Sequence, residues 1–181
     1  MCYSPEVSFT TWTIGIISSI YLFYQGKPFI FPLVVSQMQL VEGLRWINII
    51  DEKIIAILAK IVLFLQPVAA FVEAGKYSYI LPYVLAQTAA TAAAGSRDFR
   101  FIVADDGHFE WKWITNVFSI ETIPYWVGLV VGSSLIFSHG IGLLLLAFLA
   151  YFYINHKEYN TFGSLWCFSV NIMWIYYIFI K

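Results

Sequence analysis

The stretch FIFPLVVSQMQLVEGLRWINI, residues 29–49, is mostly apolar yet carries Gln37, Gln39, Glu42 and Arg45. A helix needs about 20 predominantly apolar residues to cross the hydrocarbon of a bilayer, so the stretch reads as a membrane helix with polar groups inside it. At roughly 100° per residue, Gln39, Glu42 and Trp46 share one face, Arg45 lies at its margin, and Gln37 points roughly the opposite way. Glu42 stands about three residues from the midpoint, or about 4–5 Å from the bilayer centre. A lone carboxylate there costs several kcal/mol, so the group is paired, protonated or hydrated.

The rest of the chain has the same character. Of its 181 residues, 60% are hydrophobic, 19% are aromatic and 12% are charged, and its mean hydropathy is +0.75. Soluble domains carry about 25% charged residues; this chain has too little polar surface to cover a water-exposed globule, and lipid is the expected partner. A net charge of −1 excludes the basic field that nucleic acid requires. The start, MCYSPEVSFTTW, lacks the basic region of a signal peptide, so no cleavable signal is expected.

Seven segments approach the length of a span. The first runs over about 5–24, with Ser4 as N-cap, Pro5 at the first helical position and Glu6 where the helix dipole favours an acid. The turn QGKP (25–28) ends it. The second, 29–49, stops at Asp51-Glu52-Lys53. The third covers about 54–73 and the fourth about 79–95, closing in the small-residue tract AQTAATAAAG. A polar segment at 96–119 follows. The fifth and sixth, about 120–137 and 141–156, form a hairpin around SHG, and the seventh runs over about 161–180. The expected fold is an all-α polytopic bundle forming one domain over 1–181, with seven transmembrane helices, or six if the 120–156 hairpin is re-entrant.

With seven spans, one side, termed A, holds the N-terminus, the 50–53 turn, the 96–119 segment and the 156–160 turn. More lysine and arginine fall on side A, which leans toward a cytosolic placement by the positive-inside rule. Trp12, Trp46, Trp111, Trp113, Trp126 and Trp166 also fall toward side A, as a one-sided belt or an aromatic vestibule. A shift of 115 residues lays Ser4 on Ser119, Glu6 on Glu121 and Ser18-Ser19 on Ser133-Ser134. Two three-helix halves around the fourth helix would explain this, a 3+1+3 plan similar to that of SWEET-type sugar transporters.

Two cations are placed to answer Glu42. Arg45 is one turn away and near enough to its helix end to snorkel toward side A. Lys60, in the next helix, stands at Glu42's depth, and a buried Glu42–Lys60 pair is the preferred reading. Such a pair either fixes helix register or belongs to a solute or proton site. Gln66-Pro67 marks a bend in the third helix, either a packing feature or a hinge. Gln87, Ser169 and Asn171 are interhelical hydrogen-bond candidates.

The tract ADDGHFEW offers His108 and Glu110 as weak metal-ligand candidates, but no spacing fixes a metal and a solvated acidic loop is the simpler reading. No nucleophile motif, P-loop or dinucleotide fingerprint is present, so no cofactor is expected and an intramembrane enzyme is the last-ranked reading, which a metal bound at side A would revive. Cys2 and Cys167 are left either paired or as free thiols.

Several motifs together resemble an uncharacterised family of small multi-pass membrane proteins that open with Met-Cys-aromatic-Ser, as MCYSPEVS does here. That family carries an acidic residue in the second helix, Phe-x-Gln-Pro in the third, a Glu-Trp-x-x-Trp-like loop and Trp-Cys near the start of the last helix. Here these are Glu42, FLQP (64–67), HFEWKW (108–113) and LWCF (165–168). The family often has a histidine ahead of the Gln-Pro, and this chain has none there. The resemblance implies that Cys2, Glu110, Trp111, Trp113, Trp166 and Cys167 gather on side A, where a Cys2–Cys167 disulfide is sterically open.

The sequence thus points to an integral, multi-pass membrane protein with a side-A pocket lined by Gln39, Glu42, Trp46, Lys60, Gln66 and Trp166. The expected function is a transporter or channel-like passage for a small polar solute or ion, with Arg45, Trp111 and Asn171 as further candidates and Pro67 as hinge. The alternative is a non-transporting component that binds lipid or a partner protein, as a homo-oligomer or within a membrane complex.

Overall fold

A computed structural model describes residues 4–95, 101–103, 109–111 and 119–136, together with positions 147, 150, 151, 154 and 178. Five α-helices dominate these residues: α1 (Pro5–Tyr24), α2 (Ile30–Ile47), α3 (Glu52–Glu73), α4 (Ile80–Ala94) and α5 (Ile123–Ile136). One turn of 3-10 helix at Tyr77–Tyr79 leads into α4. Between α4 and α5 lies a short antiparallel ladder, β1 (Phe101–Val103) on β2 (Phe109–Trp111), with Phe101 opposite Trp111 and Val103 opposite Phe109. The sequence reading assigned this segment as a polar connection and did not anticipate a ladder.

Local chemistry sets the helix ends. Ser4 Oγ accepts from the Val7 amide at 3.3 Å with Pro5 behind it, which gives α1 its start. Asp51 caps α3 by accepting from the Lys53 and Ile54 amides at 2.9 and 3.4 Å. Asn48 closes α2 in the left-handed region (φ 52°), a conformation that asparagine tolerates better than most residues. The start of α2 has no cap of its own. Glu73, at the end of α3, supplies one: its carboxylate accepts from the Ile30 amide and, at 3.0 Å, from the Phe31 amide. An acid at a helix N-terminus also complements the positive end of the dipole.

Residue-by-residue contacts fix the directions of the helices. Phe9 meets Gly43 while Trp12 meets Gln37, so α1 and α2 are antiparallel. Arg45 pairs with Glu52 at one end of α2–α3 while Glu73 caps α2 at the other, so these two are antiparallel as well. Tyr83 reaches Phe64 and Tyr79 stacks on Phe71, which sets α4 against α3. Gly128 lies against Pro67 and Gly132 against Ala70, so α5 runs parallel to α3. The starts of α1, α3 and α5 and the ends of α2 and α4 share one end of the bundle, here called end A.

The α3–α5 contact is made close by small residues. A Cβ added at Gly132 would lie 2.5 Å from the Ala70 Cβ, and one at Gly128 would lie 2.9 Å from the Pro67 Cβ. Glycines four residues apart let two helix backbones approach in this way. The core around this contact is aliphatic at Met38, Ile55, Ala56, Ala59, Leu63, Ala70 and Leu129 and aromatic at Phe31, Tyr125 and Trp126.

Polar and apolar residues are distributed inside out relative to a water-soluble protein. Ser8, Ser36, Gln39, Glu42, Gln66 and Ser133 are buried. Ile54, Ile57, Ile61 and Leu65 form an exposed stripe down α3, and Ile123, Val127, Val131 and Leu135 form another down α5. Ala147, Ala150, Tyr151 and Ile154 are helical, exposed and on one face by their spacing.

Two of these helices, α1 with 20 residues and α3 with 22, are long and apolar enough to cross a membrane. With 15 residues, α4 falls short of the roughly 20 that a full span requires, and α5 is described over 14 residues. In α2 the polar residues discussed above interrupt an 18-residue helix. The expected sixth and seventh spans lie outside the described residues apart from the isolated positions given above, among which Ile178 packs against the core.

Candidate functional site

The first polar cluster sits between α1 and α2. Gln39 and Glu42 are each 0% exposed. Gln39 Nε2 donates to Glu42 Oε2 at 3.2 Å, and Thr11 Oγ1 stands 2.8 Å from Gln39 Oε1. One turn separates Gln39 from Glu42, which brings their side chains together on the inward face of α2 as the helical phase requires. Gln37, expected to point roughly the opposite way, also reaches α1: Trp12 donates its Nε1 to Gln37 Oε1 at 3.4 Å.

The second cluster joins α3 to α5. Gln66 is fully buried, and Tyr125 donates its hydroxyl to Gln66 Oε1 at 2.6 Å. Gln66 Nε2 has no hydrogen-bond partner among the described residues. Pro67 sits within a helix that continues through it, and its missing amide leaves the turn before it short of a donor. Tyr83 of α4 donates to the Phe64 carbonyl in that turn at 3.1 Å. Tyr125 is itself buried and packs edge-on against Trp126 at 4.5 Å. Trp126 belongs to the core and not to a belt at the rim.

The third cluster lies nearer end A. Lys60 is within coulombic reach of Glu121, two residues before α5. Their levels match: Lys60 stands seven positions before Pro67 and Glu121 seven before Gly128, the two residues in contact across α3 and α5. Gln87 of α4 donates to the Glu121 carbonyl at 2.8 Å and so joins a third helix to this corner.

The described contacts of Glu42 and Lys60 run to groups other than the pair expected between them. Among the described residues, Glu42 is held by Gln39, and the charge felt by Lys60 comes from Glu121. Equal depth on neighbouring helices was the basis for pairing them, but depth does not specify facing direction. Arg45 turns to end A, where Nη2 lies 3.2 Å from Glu52 and Nη1 lies 3.3 Å from Asn48 Oδ1. Trp46 is half-buried against the core. Of the six residues expected to line one pocket, Gln39 and Glu42 lie between α1 and α2, Gln66 and Lys60 between α3 and α5, and Trp46 packs against the core.

Trp166, Asn171, Cys2, Cys167 and His108 lie outside the described residues, while Glu110 and Trp111 are on β2, with Glu110 opposite Ile102. Sequence reasoning missed Thr11, Tyr83 and Tyr125. A hydroxyl-bearing side chain in an apolar helix is a weak signal, because threonine can equally bond its own preceding turn. Glu121 carried a better signal, since it opens a helix and stands where the 115-residue shift places the counterpart of Glu6.

No family model, characterised protein or solved structure matches the chain.

Proposed function

We propose that the chain is a multi-pass membrane protein that passes a small polar solute or ion along its buried polar residues, centred on Thr11, Gln39 and Glu42. The observation that carries this reading is the fully buried Gln39–Glu42 pair inside a bundle whose outer faces are isoleucine, leucine and valine. Ionisable groups are retained inside such surfaces at a cost, and conduction or transport is the usual reason. Seven spans belong to the same proposal. The alternating helix directions support it, with α4 as a short element and the remaining spans drawn from 141–156 and 161–180. The common direction of α1 and α5 supports a 3+1+3 plan with α4 as linker, and Pro67 is its hinge. The resemblance to Met-Cys-aromatic-Ser membrane proteins belongs here too.

Reconstitution in liposomes tests the reading. Flux of protons, potassium and glucose is measured for the wild type, Glu42→Gln, Lys60→Met and the double variant. At least one probe crosses in the wild type, and Glu42→Gln reduces that flux tenfold or more. Equal flux in all four proteins refutes the site.

A second reading is favoured by α4, which buries only Tyr83 and Ala90 along its 15 residues. A helix so little covered and so rich in alanine suits packing against a partner helix, as in a non-transporting subunit of a membrane complex. Recovery of the native chain in a stoichiometric assembly, with no flux by the isolated protein, selects this reading.

A further inference from the structure

The helices α1 and α3 end in the same way. After α1 the chain turns through Gly26 (φ 64°) into Lys27, whose amide donates back to the Leu22 carbonyl at 2.9 Å. After α3 it turns through Gly75 (φ 65°) into Lys76, whose amide donates back to the Phe71 carbonyl at 2.8 Å. Glycine suits both turns because the left-handed region penalises a Cβ. Each turn thus presents a lysine on a backbone that is already fixed.

Both turns open at end B, opposite end A, because α1 and α3 are each antiparallel to α2. The Glu73 cap brings them near one another. Lys27 stands three residues before Ile30 and Lys76 three residues after Glu73, and Ile30 and Glu73 are in contact. Three residues of chain reach at most about 11 Å, so both lysines belong to one rim.

That rim is aromatic as well as basic. Tyr24, Tyr77 and Tyr79 are 79%, 66% and 47% exposed, and tyrosine is enriched where a bilayer edge places its headgroups. Phe23 packs edge-on against both Tyr24 and Phe29, and Tyr79 stacks on Phe71. Among the described residues Glu73 is the one acid of this rim, and its carboxylate is turned to the Ile30 and Phe31 amides, where the α2 dipole complements it. Lys76 is exposed and Lys27 half-buried. At end A the balance is reversed: Glu6, Asp51, Glu52 and Glu121 stand against Arg45, Lys53 and Lys60, and Arg45 is bridged to Glu52.

We propose that end B binds the headgroups of anionic phospholipids, with Lys76 and Lys27 as the cations that meet the phosphates and the three tyrosines seated at the glycerol level. The inference rests on the membrane reading of the chain and needs no transported solute. Opposite charge supplies the attraction, and the closed glycine turns leave little backbone freedom to be lost on binding.

Electron paramagnetic resonance of spin-labelled lipid tests this on the full chain reconstituted in phosphatidylcholine vesicles. Trace spin-labelled phosphatidylglycerol or phosphatidylcholine reports, by its restricted motion, the lipid held at the protein. A surface lysine enriches anionic lipid about fivefold; averaged over all the lipid around the chain, the expected overall preference for phosphatidylglycerol is about twofold at low salt. At about 1 M salt the preference falls to about one. Lys76→Gln lowers it and Lys27→Gln with Lys76→Gln abolishes it, whereas Lys53→Gln at end A leaves it unchanged. Equal restriction of the two lipids by the wild type overturns the proposal and leaves the membrane reading standing. A preference that survives the double variant, or that Lys53→Gln removes, does the same. No restricted lipid of either kind overturns both, because the chain is then outside the bilayer.

Discussion

Replacing Gly132 with alanine puts a methyl group where Ala70 already has one. The added Cβ would stand 2.5 Å from the Ala70 Cβ, and carbons in good contact are about 3.5–4.0 Å apart. Both atoms are fixed to helix backbone, so no rotamer change relieves the overlap and α5 must move away from α3 by about 1 Å or more. Overpacking of this kind costs about 1–3 kcal/mol, offset by roughly 1 kcal/mol because alanine is the better helix former. The expected net loss for Gly132→Ala is about 1 kcal/mol. Ala70→Gly loses about the same, through helix propensity and a lost contact. The double variant moves the methyl from one helix to the other, so both costs largely cancel and stability returns to within about 0.5 kcal/mol of wild type. Reversible unfolding in mixed micelles gives all four values. A coupling energy of about 2 kcal/mol in favour of the double variant is expected, and losses that add within about 0.5 kcal/mol refute the contact. Val131→Ala, on the exposed stripe of α5, is the control that should change little.

Three other perturbations probe the remaining interfaces. Tyr125→Phe leaves Gln66 without its hydroxyl partner and is expected to cost about 1–3 kcal/mol of unfolding free energy, most of which Gln66→Leu added to it recovers; no loss in the single variant refutes the bond. Glu73→Ala removes the cap of α2 and is expected to cost about 0.5–2 kcal/mol, read as faster amide hydrogen exchange at Ile30 and Phe31 with α1 unaffected. For Lys60→Met, Glu121→Gln and the double variant, unfolding free energies are expected to be non-additive by at least about 0.5 kcal/mol, whereas Lys60→Met with Glu42→Gln should be additive.

Helix positions were the legible part of the fold, for reasons local to the chain. Ser4-Pro5-Glu6 states a helix start in three residues, and each satisfies or complements the groups that a first turn leaves bare. Around the α2–α3 turn the sequence reading took only the run Asp51-Glu52-Lys53 as a stop, and the capping roles of Asn48 and Asp51 came from the structure. Starts were less legible where an apolar run does not say where helix geometry begins: the run from 120 becomes helix only at Ile123. The β1–β2 ladder was hidden because each strand is three residues long, too short for alternation to stand out beside charged neighbours.

The site was legible on one helix and illegible between helices. The 3.6-residue period puts Gln39 and Glu42 on one face, and the structure joins them by a hydrogen bond. Period says nothing about how far one helix slides along another, and that slide decides the partner of Lys60. Pro67 against Gly128 and Ala70 against Gly132 set the slide between α3 and α5, and they carry Glu121 to the level of Lys60. Small residues that permit close approach therefore determine which charges meet, although they carry no charge themselves. The same holds between α1 and α2: Phe9 closes over Gly43, and this close approach sets the slide that brings Thr11 to Gln39 and so ties the Gln39–Glu42 pair to α1.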